Sequence, residues 1–135
     1  MNTQTEPTSG VEGQPVLVVE DHDDTREMVA ALLKAEGFTV ITAENGRRGL
    51  EQLMRERPCL VLLDLMMPVM TGWEFRRVQL SLPDSELAAV PVLLLTAVPD
   101  AERVAAQLDA AAVISKPLDF EKLVDTVRRH CPPLS

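Results

Sequence analysis

Five short apolar runs recur along the chain, VLVV (16–19), FTVITA (38–43), CLVLL (59–63), VPVLLL (90–95) and AVIS (112–115), and no other feature limits the fold as tightly. Each has the length of a strand and is bounded by turn-forming residues. Their apolar residues are consecutive rather than alternating, so both faces are expected to be buried, as in a parallel sheet covered by helices. The intervening segments carry the period of helices. Met28, Leu32 and Leu33, then Leu50, Leu53 and Met54, then Val104, Ala105 and Leu108 recur at spacings of three and four. Phe120, Leu123, Val124 and Val127 repeat this near the C-terminus, followed by Arg128 and Arg129 where cations complement the helix dipole. Gly37 suits a left-handed helix end, Asn45 an N-cap, and Pro58 a stop. Five βα units predict an open, doubly wound α/β domain with helices on both faces of the sheet. Ligands of such a sheet lie beyond the carboxyl ends of its strands.

The chain of 135 residues has room for one domain with a real core. Its first fourteen residues, rich in polar residues, Gly and Pro, read as a disordered tail. The domain is expected over 15–130, with a short C-terminal tail at 131–135. A net charge of −8 argues against DNA or an anionic membrane as the main partner. No apolar run has the length of a membrane span. The two cysteines, Cys59 and Cys131, suggest a reducing compartment and no disulfide framework, and the expected location is cytoplasmic.

Residues at the strand ends carry the chemistry. The first run leads into VLVVEDHDD, with four carboxylates among the five residues after Val19. Two like charges at about 4 Å repel by about 1 kcal/mol in water and about 4 near a protein surface. A cation, solvating water or a helix N-terminus must offset this. Glu20 and Asp21 follow the first strand, Asp64 the third, Thr96 the fourth and Lys116 the fifth. Taken singly each has a structural explanation, such as a cap or a solvated side chain. Together, an acid pair, a third acid, a hydroxyl and a Lys at four strand ends are far less readily explained as coincidence and mark one candidate site.

In these residues the sequence resembles the receiver domain of two-component response regulators, from about Val16 to Arg129. The matching pieces are VLVVEDHDD, LVLLDLMMPVMTGWEF, PVLLLTA and SKPL, and the second is the most specific because Asp64, Met67, Pro68 and Gly72 fall at the family's spacing. The resemblance implies a flavodoxin-like sheet of strand order 2-1-3-4-5. It implies Asp64 as phosphoacceptor, and Mg²⁺ held by Glu20, Asp21, Asp64 and the main-chain carbonyl of Met66. Thr96 and Lys116 would contact the phosphoryl group, and Lys116–Pro117 is a candidate cis peptide. The implied partners are a histidine kinase or phosphotransfer protein and a downstream protein, without DNA or membrane; a homodimer is compatible. The chain ends soon after Arg129, which suits a stand-alone receiver or a piece of something larger.

The same likeness exposes departures. Val113 stands where receivers usually carry Tyr or Phe, Asp109 where Gly is common, and the interval from Thr96 to Lys116 is short. Signalling by burial of an aromatic ring is therefore not expected; the loop AVPDAE, 97–102, and the helix after it are the expected moving elements. Met66 and Val98 border the path of the attacking water in receivers and offer no polar group, so slow self-dephosphorylation is expected. His22 and His130 read as solvated, Asp23 and Asp24 as first-turn acids, and Trp73, Phe75, Met66 and Met67 as packing residues. Two rival readings stand beside this one: a haloacid-dehalogenase-like phosphatase using Asp21 in the DxDxT of Asp21, Asp23 and Thr25, and a receiver-like interaction module that is never phosphorylated.

Overall fold

A computed structural model describes residues 13–132. Five parallel strands form one sheet: β1 (Val16–Val19), β2 (Val40–Ala43), β3 (Leu60–Asp64), β4 (Val92–Thr96) and β5 (Ala112–Ser115), in the order β2-β1-β3-β4-β5. Side chains of β1, β3 and β4 alternate between two apolar layers. Leu17, Val19, Val61, Leu63, Val92 and Leu94 enter one, and Val16, Val18, Leu60, Leu62, Leu93 and Leu95 the other. This is why the runs are apolar at every position. Each fully buried Val or Leu contributes about 1.5–3 kcal/mol.

Helices cover both layers. The first layer is closed by α2 (Gly46–Glu56), α3 (Gly72–Leu80), α4 (Ser85–Ala88) and α5 (Ala101–Gln107), through Leu50, Leu53, Phe75, Leu87, Ala101 and Ala105. The second is closed by α1 (Asp23–Ala35) and α6 (Phe120–His130), through Val29, Leu33, Leu123, Val124 and Val127. The expected punctuation is present: Gly37 follows α1 with φ 98°, Asn45 Oδ1 accepts the Arg48 N–H at 2.9 Å, and α2 stops two residues before Pro58. Asp23 and Asp24 lie in the first turn of α1.

Several expectations need correction. Met28, Met54 and Phe120 are exposed, because helix faces turn Val29 and Ala30, Leu50 and Leu53, and Leu123 and Val124 inward instead. The single-turn α4, capped by Asp84, was not expected; four residues are too short to show a period. Asp64 and Thr96 are the last residues of their strands rather than the first beyond them.

The largest correction concerns the cysteines. Cys59 and Cys131 form a disulfide across a sequence separation of 72. Parallel strands start at the same end of the sheet, and the last helix returns to that end, so Cys131 arrives 5.7 Å from Cys59 between Cα atoms. Both are buried in the second layer. The disordered tail expected over 1–14 lies outside the described residues up to residue 12, as does the C-terminal tail beyond Pro132.

Candidate functional site

The site stands on β1, β3 and β5, and main-chain ladders set the spacing of its side chains. Glu20 extends β1, its N–H donating to Ala43 O at 3.1 Å, and is fully buried. Val19 pairs with Leu63, which brings Glu20 and Asp21 beside Asp64. One carboxylate oxygen from each of Glu20, Asp21 and Asp64 lies within 4.8 Å of the others. Lys116 follows β5 and is held in register by its N–H, which donates to Thr96 O at 2.9 Å. Its Nζ donates to Glu20 Oε1 at 2.9 Å and stands 3.6 Å from Asp64 Oδ2. The peptide after it, Lys116–Pro117, is cis.

Two of the three clustered carboxylates, Glu20 and Asp64, therefore face the Lys116 ammonium group. Burial raises the Asp64 pKa from 3.8 to about 6, and the charge on Glu20 pushes the same way. Lys116 and the Met66 N–H, which donates to Asp64 Oδ1 at 3.3 Å, oppose this without cancelling it. The carboxylate is thus held in a place that disfavours its charge. The donor set is all hard oxygen, the chemistry that suits Mg²⁺.

The loop from β3 to α3 builds one wall. Gly72 donates its N–H to Leu65 O at 3.0 Å, and a Cβ there would stand 2.5 Å from Asp64 O. Only glycine lets α3 start so close to the acid. Thr71 and Glu74 form a capping box at that start, a TxxE signal that is legible in the sequence. Val69 has φ 70° inside a tight turn closed by Met70 N–H to Pro68 O at 2.7 Å. A β-branched residue rarely adopts that backbone, and its presence beside the site stores strain.

Above these groups a cleft of about 510 Å³ is lined by Glu20, Asp21, Asp64 and Lys116, together with His22, Thr25, Met66, Ala97 and Val98. Four of the five expected strand-end residues thus line one cleft. Thr96 is not among the residues lining it: it is fully buried, and its Oγ1 accepts the Val98 N–H at 3.2 Å. Met66 is not a packing residue as expected; it is 63% exposed on the cleft, whereas Met67 and Phe75 are buried. His22 is exposed but has a task, since its Nδ1 accepts the Thr25 N–H at 3.4 Å and caps α1. His130 lies close to the Thr126 carbonyl, with Nδ1 3.0 Å away. Asp23 pairs with Arg26 at 2.6 Å and stands outside the acid cluster.

The sequence model of the response regulator receiver domain family matches residues 16–128. The probable transcriptional regulatory protein TcrX of Mycobacterium tuberculosis is 38% identical over 121 residues, which cover 87% of this chain and 50% of that protein. The chain thus spans about half the length of that relative. The polar-differentiation response regulator DivK of Brucella anthropi is 30% identical over 118 residues, covering 85% of this chain and 94% of DivK. Among solved structures, the chemotaxis response regulator CheY4 of Vibrio cholerae superposes with a TM-score of 0.76 at 32% identity, covering 85% of this chain and 96% of that one.

Proposed function

The chain belongs to the response regulator receiver domain family, and from that premise we propose that it accepts a phosphoryl group on Asp64 from the phosphohistidine of a histidine kinase or phosphotransfer protein. The observation that carries this reading is the crowding of Glu20, Asp21 and Asp64, with Lys116 against Glu20 and Asp64. In the transfer an Asp64 carboxylate oxygen attacks phosphorus, and the P–N bond to the donor histidine breaks with its electron pair leaving to the imidazole. The nucleophile and the transferred group are both anionic. Glu20, Asp21, Asp64 and the Met66 carbonyl are the groups that would hold Mg²⁺, and when bound it supplies the positive charge this encounter needs.

The other roles fall to the chain itself. Lys116 offers its ammonium to a phosphoryl oxygen at the cost of its contact with Asp64. Thr96 follows by exchanging its bond with the Val98 N–H for one donated to the phosphoryl group. Because Lys116 and Thr96 are already joined through the main chain, both pulls act on the segment between them, which contains the loop 97–100 and α5. Val113 is buried and packs in the same layer as Ala101 and Ala105. It has no ring to swing, so backbone carries the signal to a downstream protein. The reading places the protein in the cytoplasm with its kinase on the strength of the family alone, because the Cys59–Cys131 disulfide withdraws the cysteine argument for a reducing compartment; no helix among the described residues is long and apolar enough to cross a membrane.

The test is Mg²⁺-dependent labelling by a small phosphodonor and by a phosphohistidine kinase domain, with the modified residue mapped. Label on Asp64, lost in Asp64→Asn, is the expected result. Label that persists on Asp21 in that variant refutes the assignment, and absence of label from every donor favours the unphosphorylated interaction module.

A further inference from the structure

A buried cation sits on the far side of the layer from the site. Arg76 of α3 is 4% exposed, and all three of its nitrogens donate. Nε donates to Leu108 O at 2.9 Å, Nη2 to Asp109 O at 2.9 Å and Nη1 to Gln79 Oε1 at 2.8 Å. Gln79 is fully buried, and its Nε2 donates to Leu87 O at 3.0 Å and Val90 O at 2.9 Å. One pair of side chains from α3 thus holds the end of α5 and the C-terminal end of the α4 turn. A guanidinium is costly to bury, and burial lowers the Arg76 pKa while the Asp109 carboxylate opposes that shift. Its two main-chain acceptors are carbonyls at the C-terminal end of α5, where partial negative charge collects. Such a residue is fixed in place, because any movement of those carbonyls leaves a buried charge unpaired.

The two ends of α5 differ. At its start Asp100 has φ 59° and its side chain makes no capping hydrogen bond. At its finish Asp109, with φ 54°, is held through its carbonyl by Arg76. The loop to the loose end begins at Thr96, which closes on itself through the Val98 N–H.

We propose that Arg76 and Gln79 form a buried clamp that fixes the C-terminal end of α5, so that the response to Asp64 phosphorylation is confined to residues 97–104 and pivots at Leu108 and Asp109. The confinement rests on the phosphoacceptor reading; the clamp does not. Arg76 is a positioning residue, with no contact to the cleft.

Hydrogen exchange on the full chain, with and without beryllofluoride and Mg²⁺, tests both parts. In the resting protein, Arg76→Met should make the Asp109 and Ala110 amides, which bond back to Ala106 and Ala105, exchange about tenfold faster, as expected for losing charge-assisted hydrogen bonds. Unchanged exchange there overturns the clamp. With beryllofluoride, the wild-type change should stop before residue 105 and in Arg76→Met should run on through 110. A wild-type change that already reaches 110 overturns the pivot. A purely structural Arg76 would lower stability and leave the ligand-induced pattern where it was, which also overturns it. Fluorine NMR reads beryllofluoride binding separately: none in the wild type refutes the phosphoacceptor reading, and with it the confinement, while the resting-state comparison still decides the clamp. Should Arg76→Met fail to fold, Arg76→Lys keeps the charge without the fork, and the same comparison applies.

Discussion

The two ends of the same five strands are built on opposite principles. At the carboxyl ends Glu20, Asp21 and Asp64 crowd one another beside Lys116, Val69 holds a left-handed backbone, and α5 starts without a side-chain cap. At the amino ends the chain is tied. Cys59 is bonded to Cys131, its N–H donates to Pro15 O at 3.0 Å, and Gln14 reaches Arg57 O at 3.1 Å. Arg57 in turn pairs with Asp84 at 3.0 Å and Glu86 at 2.9 Å. A parallel sheet makes this division possible, because every strand presents the same end to the same side. Groups that repel can be held at one end only because the other end and the core resist their separation.

The largest effect expected from breaking this contrast is at the tied end. Reduction of the disulfide, or Cys131→Ser, should cost about 4 kcal/mol by the chain-entropy account for so long a loop, read by denaturant unfolding. Phosphorylation of Asp64 should survive; its loss together with the stability would show that the two ends are not independent.

At the charged end the sign is reversed. Asp64 has its pKa raised from 3.8 to about 6, so the folded chain keeps this proton to higher pH than the unfolded chain does. The stabilisation is present below the ordinary value and is lost as pH rises through the raised one. Metal-free wild type should therefore lose stability relative to Asp64→Asn between those limits, and added Mg²⁺ should recover it. Thermal melts of both proteins across that range check this, and a difference that grows in favour of wild type would contradict it.

A smaller effect concerns the lifetime of the phosphoryl group. Met66 and Val98 line the cleft without polar groups, so the double substitution Met66→Asn with Val98→Glu should speed loss of phosphate by about tenfold, or about 1.4 kcal/mol in barrier. Decay that is unchanged or slower would count against a role for these positions. Smallest of all, Val69→Gly should raise stability by about 1 kcal/mol through relief of the left-handed backbone. Chemical denaturation measures it, and a destabilised variant would mean that the side chain earns more through packing than the turn costs.

Much of the site was legible because its residues sit where a strand pattern ends. Glu20, Asp21, Asp64 and Lys116 each follow or close an apolar run, and a parallel sheet must bring such positions to one edge. Gly72 was marked by its spacing from Asp64, and the structure supplies the reason in the approach of α3 to the Asp64 carbonyl. What escaped notice has a common cause. Arg76 and Gln79 lie in a segment that reads as an ordinary helix surface, and Cys59 and Cys131 are far apart in sequence. His22 looked like one more polar residue in an acidic loop, although its place before Asp23 and Thr25 suits a helix cap.

The sequence by itself determined the parallel α/β class, the five strands, the helix cap at Asn45 and the group of residues at the strand ends. All of these depend on neighbours within a few positions, where backbone preference and hydrophobic period act directly. Only the tertiary structure decided that Thr96 is fully buried, that Met66 faces the cleft, that Arg76 finds main-chain acceptors at the end of another helix and that the two cysteines meet. Those outcomes depend on which helix faces turn inward and on contacts between residues distant in the chain, and no local pattern encodes either.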